Sequence, residues 1–493
     1  MTWLPARRCR AIAGAAGLAA LLAACGAVGP DHRTPSPLGT GDSARPLPAI
    51  FKEAVPPAAA AMQPARPERA EATDRWWTVF GDAGLDALVA QVDAANPSLA
   101  QAEARHRQAL AALEQARAAR LPTVGANVSR TRAQGRAGTV AVPGGGTVAL
   151  SSGTIADTLN ASLSASWEVD LWGRVRRLVE AGEASAAAAT ADLEAARLSL
   201  KSQLVASYVA LRVVEAQRAL LEQIAESYQR VLSLTEQRAA AGVASKAEVL
   251  QARSQWLAVR AQAVDTGVQR AQLEHAIASL VGKAPAEFSI PAATTLTLAL
   301  PDVDPQLPAQ LLERRPDIAA AERRVAAANA QIGIASAAFF PALTLNAGGG
   351  YRGPSLGDLI SLPNRFWSFA PALAVTVFDG GARSAAREQA LSAHAVTVAA
   401  YRQTVLAALQ EVEDQLAALR VLEAEHAIQS ESERTAVQSA AMILEQYRAG
   451  TAAQINVLAA QANELTARRA LLAVQGQRLS ASVALMKALG GRW

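Results

Sequence analysis

Residues Thr158–Trp172 read TLNASLSASWEVDLW. Leu159, Ala161, Leu163, Ala165, Trp167, Val169 and Leu171 fall on one side of that stretch. Thr158, Asn160, Ser162, Ser164, Ser166, Glu168 and Asp170 fall on the other. A period of two is the signature of a β-strand with unlike faces. Ordinary strands run about 5–6 residues, and this alternation is far longer. At about 3.3 Å per residue it can cross a bilayer at a steep tilt. An apolar face with tryptophan near its end, opposite a small polar face, fits a barrel with lipid outside and water inside. A soluble sandwich also alternates, but in shorter strands.

The pattern recurs. Trp367, Phe369, Leu373, Val375 and Val377 share one face, with Ser368, Ala370, Ala372, Ala374 and Thr376 on the other. Partner strands are expected after Pro122 and Pro341, with hairpins closed at Gly144-Gly145-Gly146 and near Gly353-Pro354. Gly348-Gly349-Gly350 reads as a bend between strand and turn. The lipid-facing candidates are Leu159, Leu163, Trp167, Leu171, Leu373 and Val375. Four strands cannot close a barrel, and open edges are not tolerated in lipid. The chain must therefore self-associate; three copies would supply the twelve strands at which a lumen begins to open.

Internal repeats set the architecture. Asn96-Pro97-Ser98-Leu99 matches Arg315-Pro316-Asp317-Ile318, and the same offset carries Pro122 onto Pro341 and Asn127 onto Asn346. Further on, Ala210–Ala216 matches Ala418–Ala424, Gly242 matches Gly450, Val249-Leu250 matches Val457-Leu458, and Gly282 matches Gly490. The first copy holds about 11 extra residues between Pro122 and Gly173. Each copy reads helix, two strands, long helix, turn, helix. From Arg174 to Arg238 and from Ser384 to Arg448 proline is absent and glycine nearly so. Helices of that length, near 100 Å at about 1.5 Å per residue, belong to coiled coils or helical tubes. The expected divisions are 1–24, a leader; 25–72, a tether and extended wrap outside any core; 73–282, the first repeat; 283–310, a linker; and 311–493, the second repeat.

The N-terminus bears on location. Arg7, Arg8 and Arg10 precede an apolar run from Ala11 to Ala24, too short for a spanning helix and typical of a secretory signal. Leu22-Ala23-Ala24-Cys25 resembles the bacterial lipobox, which implies acylation of Cys25 as the first mature residue. Gly26 follows in place of the aspartate associated with inner-membrane retention, which implies the outer membrane of a Gram-negative cell.

Composition narrows the function classes. Apolar residues make up 51% of the chain but aromatics only 4%, so alanine-rich helices packed side by side fit better than a bulky core. Net charge is +4 with no basic cluster interleaved with aromatics, so nucleic-acid binding has no support. His32, His106, His275, His394 and His426 form no metal-spaced pair and read as surface residues. No phosphate loop or catalytic set is present. The chain is expected to be no enzyme and to need no cofactor.

The helical turns carry the remaining signal. Gly242-Val243-Ala244-Ser245 precedes Glu248, and Gly450-Thr451-Ala452-Ala453 precedes Asn456. A helix stops at each glycine and restarts, with Ser245 and Glu248 spaced as a capping box. Asp170, Gly173 and Arg174, like Asp379, Gly380 and Arg383, sit where strand becomes helix, as cap and bend.

The duplication, the lipobox, Trp76-Trp77 with Phe80-Gly81-Asp82, Asp170-Leu171-Trp172-Gly173-Arg174 and Phe378-Asp379-Gly380-Gly381 together resemble the TolC-type outer membrane factors. The lipoprotein branch called NodT or OprM-like is the nearest, over residue 25 to the end. The resemblance implies a mixed α and β membrane protein with four transmembrane strands and long periplasmic helices per chain. It implies a homotrimer with a twelve-stranded β-barrel and an α-helical tunnel. Its partners would be a periplasmic adaptor and an inner-membrane pump, and it would export drugs or other small molecules. By the same resemblance Gly242, Val243, Ser245, Gly450 and Thr451 meet the adaptor, and Tyr447, Ile455, Asn456 and Glu248 surround the closing aperture. Relatives often carry aspartates at the positions of Asn456 and Ala459, which puts the usual charged ring in doubt. Two other classes stay open: a structural envelope lipoprotein without channel activity, and a periplasmic adaptor, which would lack barrel strands.

Overall fold

The computed structural model describes residues 27–39, 45–54, 75–134, 138–142, 146–150, 155–301, 308 and 314–491. The leader 1–24 and Cys25 lie outside the described residues, as do Gly144 and Gly145. Helices α1 (Ala83–Ala95) and α2 (Pro97–Ala118) precede strands β1 (Thr123–Gln134), β2 (Gly138–Val142), β3 (Gly146–Leu150) and β4 (Ile155–Val169). Helices α3 (Arg174–Ala240) and α4 (Lys246–Leu280) complete the first half. The second half runs α5 (Pro316–Ala337), β5 (Ala342–Gly353), β6 (Arg365–Ala374), α6 (Ala382–Arg448) and α7 (Gln454–Ala488). The halves thus repeat one another, with α3 and α6 of 67 residues each and α4 and α7 of 35.

Two compact units result, each drawn from both halves. One takes residues 107–187 and 322–399 with the N-terminal segment to Pro35; the other takes 36–106, 188–321 and 400–493.

In the first unit, β1, β4, β5 and β6 form an antiparallel sheet in the order β1-β4-β5-β6. Its register keeps the alternation in rows. Ala126, Leu163, Gly349 and Trp367 lie across one face, while Asn127, Ser162, Gly350 and Phe366 lie across the other. Gly348-Gly349-Gly350 is therefore not a bend but the middle of β5. A Cβ on Gly350 would come within 2.2 Å of the Ala161 carbonyl oxygen, so the adjacent strand leaves no room for a side chain. The extra residues of the first copy form the separate hairpin β2–β3.

Two lipid-facing assignments need correction. Leu171 and Val375 are not in strands, because β4 ends at Val169 and β6 at Ala374. The cause lies in Asp170, whose carboxylate accepts hydrogen bonds from the Val175 and Arg176 backbone amides (3.1 and 2.8 Å). Gly173 adopts φ +83°, and the chain turns into α3. Arg174 closes the corner with a two-pronged ion pair to Glu168 at 2.7 and 2.6 Å. At the matching corner Asp379 accepts from the Gly381 and Arg383 amides and from Arg383 Nε at 2.6 Å. Those hydrogen bonds hold its carboxyl below the usual carboxylate range, Arg383 first among them.

The N-terminal segment is docked in this unit. Val28 N–H donates to the Trp172 carbonyl, and the buried Arg177 guanidinium donates to the Val28 and Gly29 carbonyls and to Asp31. Gly29 has φ +101°, and a Cβ there would meet Gly333 Cα at 2.5 Å. His32 is half-buried rather than a surface group, with Nε2 2.7 Å from Glu322 Oε1. His394 is half-buried too, and burial followed by the nearby His32 holds its pKa below the ordinary value.

The second unit is helical. Trp76, Trp77, Phe80, Leu85 and Val89 pack with Tyr208, Ile277, Val483 and Met486 in its largest core. Asp82 caps α1 through the Gly84 and Leu85 amides and accepts from Tyr208 Oη at 2.8 Å. Burial pushes the Tyr208 phenol up to about 12. The buried Glu215 carboxylate binds Arg212, Arg270 and the Ala293 amide, so part of the inter-repeat linker is tied to α3 and α4. The expectation that residues 25–72 stay outside any core fails at Phe51. Its ring is 2% exposed, among Val412, Leu416, Leu485 and Leu489, because α6 and α7 leave an apolar slot that an aromatic ring fills.

Candidate functional site: the helical tips

Each hairpin of the helical unit ends at a left-handed glycine, Gly242 at φ +75° and Gly450 at φ +76°. Both termini follow the Schellman pattern: Val243 N donates to Arg238 O, and Thr451 N donates to Gln446 O. After the first tip, Ser245 and Glu248 form the expected capping box. Ser245 Oγ accepts from Glu248 N at 3.2 Å, and Glu248 accepts from Ser245 N at 2.6 Å. The Glu248 carboxylate is thus engaged as a cap. The second tip has Ala453 in the cap position and no side-chain cap.

The aperture candidates separate into two sets. Tyr447 is buried, 2% exposed, with Val231 and Val457. Its hydroxyl lies 3.2 Å from Thr235 Oγ1, and the Arg238 guanidinium sits 4.5 Å over its ring while donating to its carbonyl at 2.7 Å. Ile455, Asn456 and Ala459 are exposed, Ile455 at 56%. Val243, Gly242, Ser245, Gly450 and Thr451 are exposed as well. The structure therefore joins Tyr447 to α3 and leaves Ile455 and Asn456 free on the surface.

Sequence reasoning missed the centre of this cluster. Gln454 is 2% exposed, and its Nε2 donates to the Glu248 carbonyl at 2.9 Å and approaches Thr235 Oγ1 at 3.5 Å. Thr235, Arg238 and Gln454 are ordinary helix residues by pattern, and only the approach of the two hairpins makes them partners. Among the described residues no group of three or more His, Cys, Asp or Glu side chains is placed to hold a metal ion. No described helix is long and apolar enough to cross a membrane. The chain thus combines long strands with unlike faces and paired helices that end in small exposed tips.

This combination is the fold of outer-membrane channels. The outer-membrane channel OprN superposes with a TM-score of 0.79 at 30% identity, over 94% of this chain and 99% of that one. The outer membrane protein VceC of Vibrio cholerae does so at 0.78 and 29% identity, over 85% and 98%. The chain belongs to the outer membrane efflux protein family, whose model matches residues 88–283 and 307–491. It is 32% identical over 443 residues to OpmQ, a pyoverdine export outer membrane protein of Pseudomonas putida, covering 89% of this chain and 92% of that one.

Proposed function

We propose that this chain is the exit duct of a tripartite export system: a homotrimer whose four-stranded sheets close into a twelve-stranded barrel and whose helices form a tunnel. The observation that carries this reading is the sheet. Its rows set Leu163 and Trp367 on one face and Ser162 and Asn127 on the other, while β1 and β6 each have one edge without a partner among the described residues. Bare edges in lipid are prohibitive, and further copies complete them. Cys25 anchors the mature N-terminus to the outer membrane, and the docked segment from Val28 ties that anchor to the sheet unit. The exposed tips at Gly242, Val243, Ser245, Gly450 and Thr451 receive a periplasmic adaptor, and Ile455 and Asn456 line the narrowing beyond them. Cargo is a small organic molecule driven by the inner-membrane pump. Similarity to a pyoverdine exporter makes siderophore-sized cargo a reasonable first choice. The duct performs no chemistry.

The test is conductance of the purified full chain in planar bilayers. Discrete steps are expected; a protein that binds membranes but passes no ions would favour the structural envelope lipoprotein instead.

A further inference from the structure

The face of the sheet that carries Leu163 is not apolar throughout. Val124, Val128, Leu163, Trp367, Phe369 and Leu373 share it and are exposed in the single chain. Among the described residues of β1, β4, β5 and β6, the charges on this face are Arg130, Arg132, Asp157 and Arg365. All of them lie at the end away from the helices, because α2, α3, α5 and α6 join the strands at the other. The register places Arg365 in the row of Val128, Ala161 and Tyr351, then Arg130 opposite Leu159, then Arg132 opposite Asp157.

Height decides where these charges fall. From Val169 to Leu159 strand β4 climbs about 25 Å, at about 3.3 Å per residue and a tilt of about 40°, which matches the apolar band of a membrane barrel. Arg130 stands opposite Leu159 and Arg132 beyond it, so their guanidiniums meet the membrane surface rather than hydrocarbon. Arg365 starts one row lower, and its long stem lets the charge reach the same level. Tyr351 beside it supplies the amphipathic ring typical of that level. Arg130 has Asp157 3.5 Å away, in an exposed pair that is worth little. The guanidiniums of Arg132 and Arg365 have no ion-pair partner among the described residues. On the opposite face Arg352 is engaged, 5.2 Å over the Phe366 ring.

We infer that Arg130, Arg132 and Arg365 hold the phosphates of the anionic glycolipid of the outer leaflet, its lipid A part. The inference rests on the barrel reading, in which the helices point into the periplasm and the charged end faces the cell exterior. The arginines stand on the two outer strands of the sheet, β1 and β6. Closing the barrel sets β6 of one copy beside β1 of the next, so each junction gathers three guanidiniums against the carboxylate of Asp157. A guanidinium grips phosphate through two parallel hydrogen bonds. The apolar rows directly below, Leu163 and Trp367 among them, take the acyl chains, which free phosphate lacks.

The test titrates bisphosphorylated lipid A into the detergent-purified full chain and counts bound lipid by native mass spectrometry. Dephosphorylated lipid A, phosphatidylglycerol and inorganic phosphate are the comparisons. Bisphosphorylated lipid A should bind most tightly, and this comparison needs only the unsubstituted chain. Arg132→Gln and Arg365→Gln should each weaken that binding about five-fold, while Arg352→Gln on the opposite face leaves it unchanged. Mobility of unheated samples on gels checks that each variant is folded. Equal binding of dephosphorylated lipid A, or folded outward variants that bind as the unsubstituted chain does, overturns the site. Phosphatidylglycerol or inorganic phosphate bound as tightly as lipid A overturns the assignment to the glycolipid. A chain that conducts in planar bilayers without this lipid preference loses the site and keeps the duct. One that passes no ions loses the duct reading, whichever lipid it binds.

Discussion

Arginine at Leu163 should cost far more than arginine at Ser162, although the two are neighbours in β4. Leu163 lies near the middle of a fifteen-residue strand. It is 60% exposed in the single chain, in a row with Ala126, Gly349 and Trp367. If that row faces hydrocarbon near mid-bilayer, a guanidinium there costs about 2–4 kcal/mol, or roughly 30- to 1,000-fold in the folding equilibrium. Ser162 points the other way, beside Asn127 and Gly350, where water would solvate the charge and the cost should stay under about 1 kcal/mol. Denaturant-titrated refolding into large unilamellar vesicles, followed by tryptophan fluorescence and by gel mobility of unheated samples, would measure both. A gap of about 1 kcal/mol or more in the stated direction is expected. Equal costs, or a larger cost at Ser162, would refute the assignment of the Leu163 face to lipid.

Cys25→Ser should abolish acylation yet leave folded protein in the outer membrane, since the strands hold it independently; fractionation that recovers a soluble periplasmic monomer would contradict this. Phe51→Ala should destabilise the helical unit by about 3–5 kcal/mol, seen as a lower thermal midpoint with the sheet unaffected. With Asn456 and Ala459 in place of carboxylates, trivalent cations should block the channel weakly from the periplasmic side and strongly after Ala459→Asp, while Ile455→Ala should raise resting conductance in single-channel records. Burial alone would raise the Glu322 pKa, but the hydrogen bonds from Arg323 and His32 outweigh it and leave the carboxyl below its ordinary value. Its stabilisation is therefore present above the ordinary glutamate value and lost as pH falls through the lowered one. The thermal midpoint should drop less steeply in acid for Glu322→Gln than for the unsubstituted chain.

Features set by local chemistry were legible in the sequence. The Ser245–Glu248 box and the tip glycines need only their own turns, and the strands at Thr123 and Ala342 begin directly after the prolines that mark them. Long alternation located the sheet, yet it could not show where the strands stop. Leu171 continues the period of two, but the cap that Asp170 supplies to α3 takes the chain out of the sheet first. The glycines at 348–350 read as a bend because glycine favours turns; their requirement comes from strand β4, which periodicity cannot see. Phe51 sits in a proline- and alanine-rich segment with no pattern around it, and its slot exists only once α6 and α7 are packed. Gln454 was equally hidden. A polar residue after a turn suggests a solvated surface until a second hairpin encloses it.

The enclosed Gln454 also bears on how an opening made from these tips could widen. Its side chain reaches the Glu248 carbonyl, while Arg238 and Thr235 hold Tyr447. Three contacts of one chain therefore act as bolts between its two hairpins, buried at Thr235 and part-buried at Glu248 and Arg238. Three copies around an axis would behave as an iris of three leaves rather than six, each leaf a pair of hairpins turning as a solid piece.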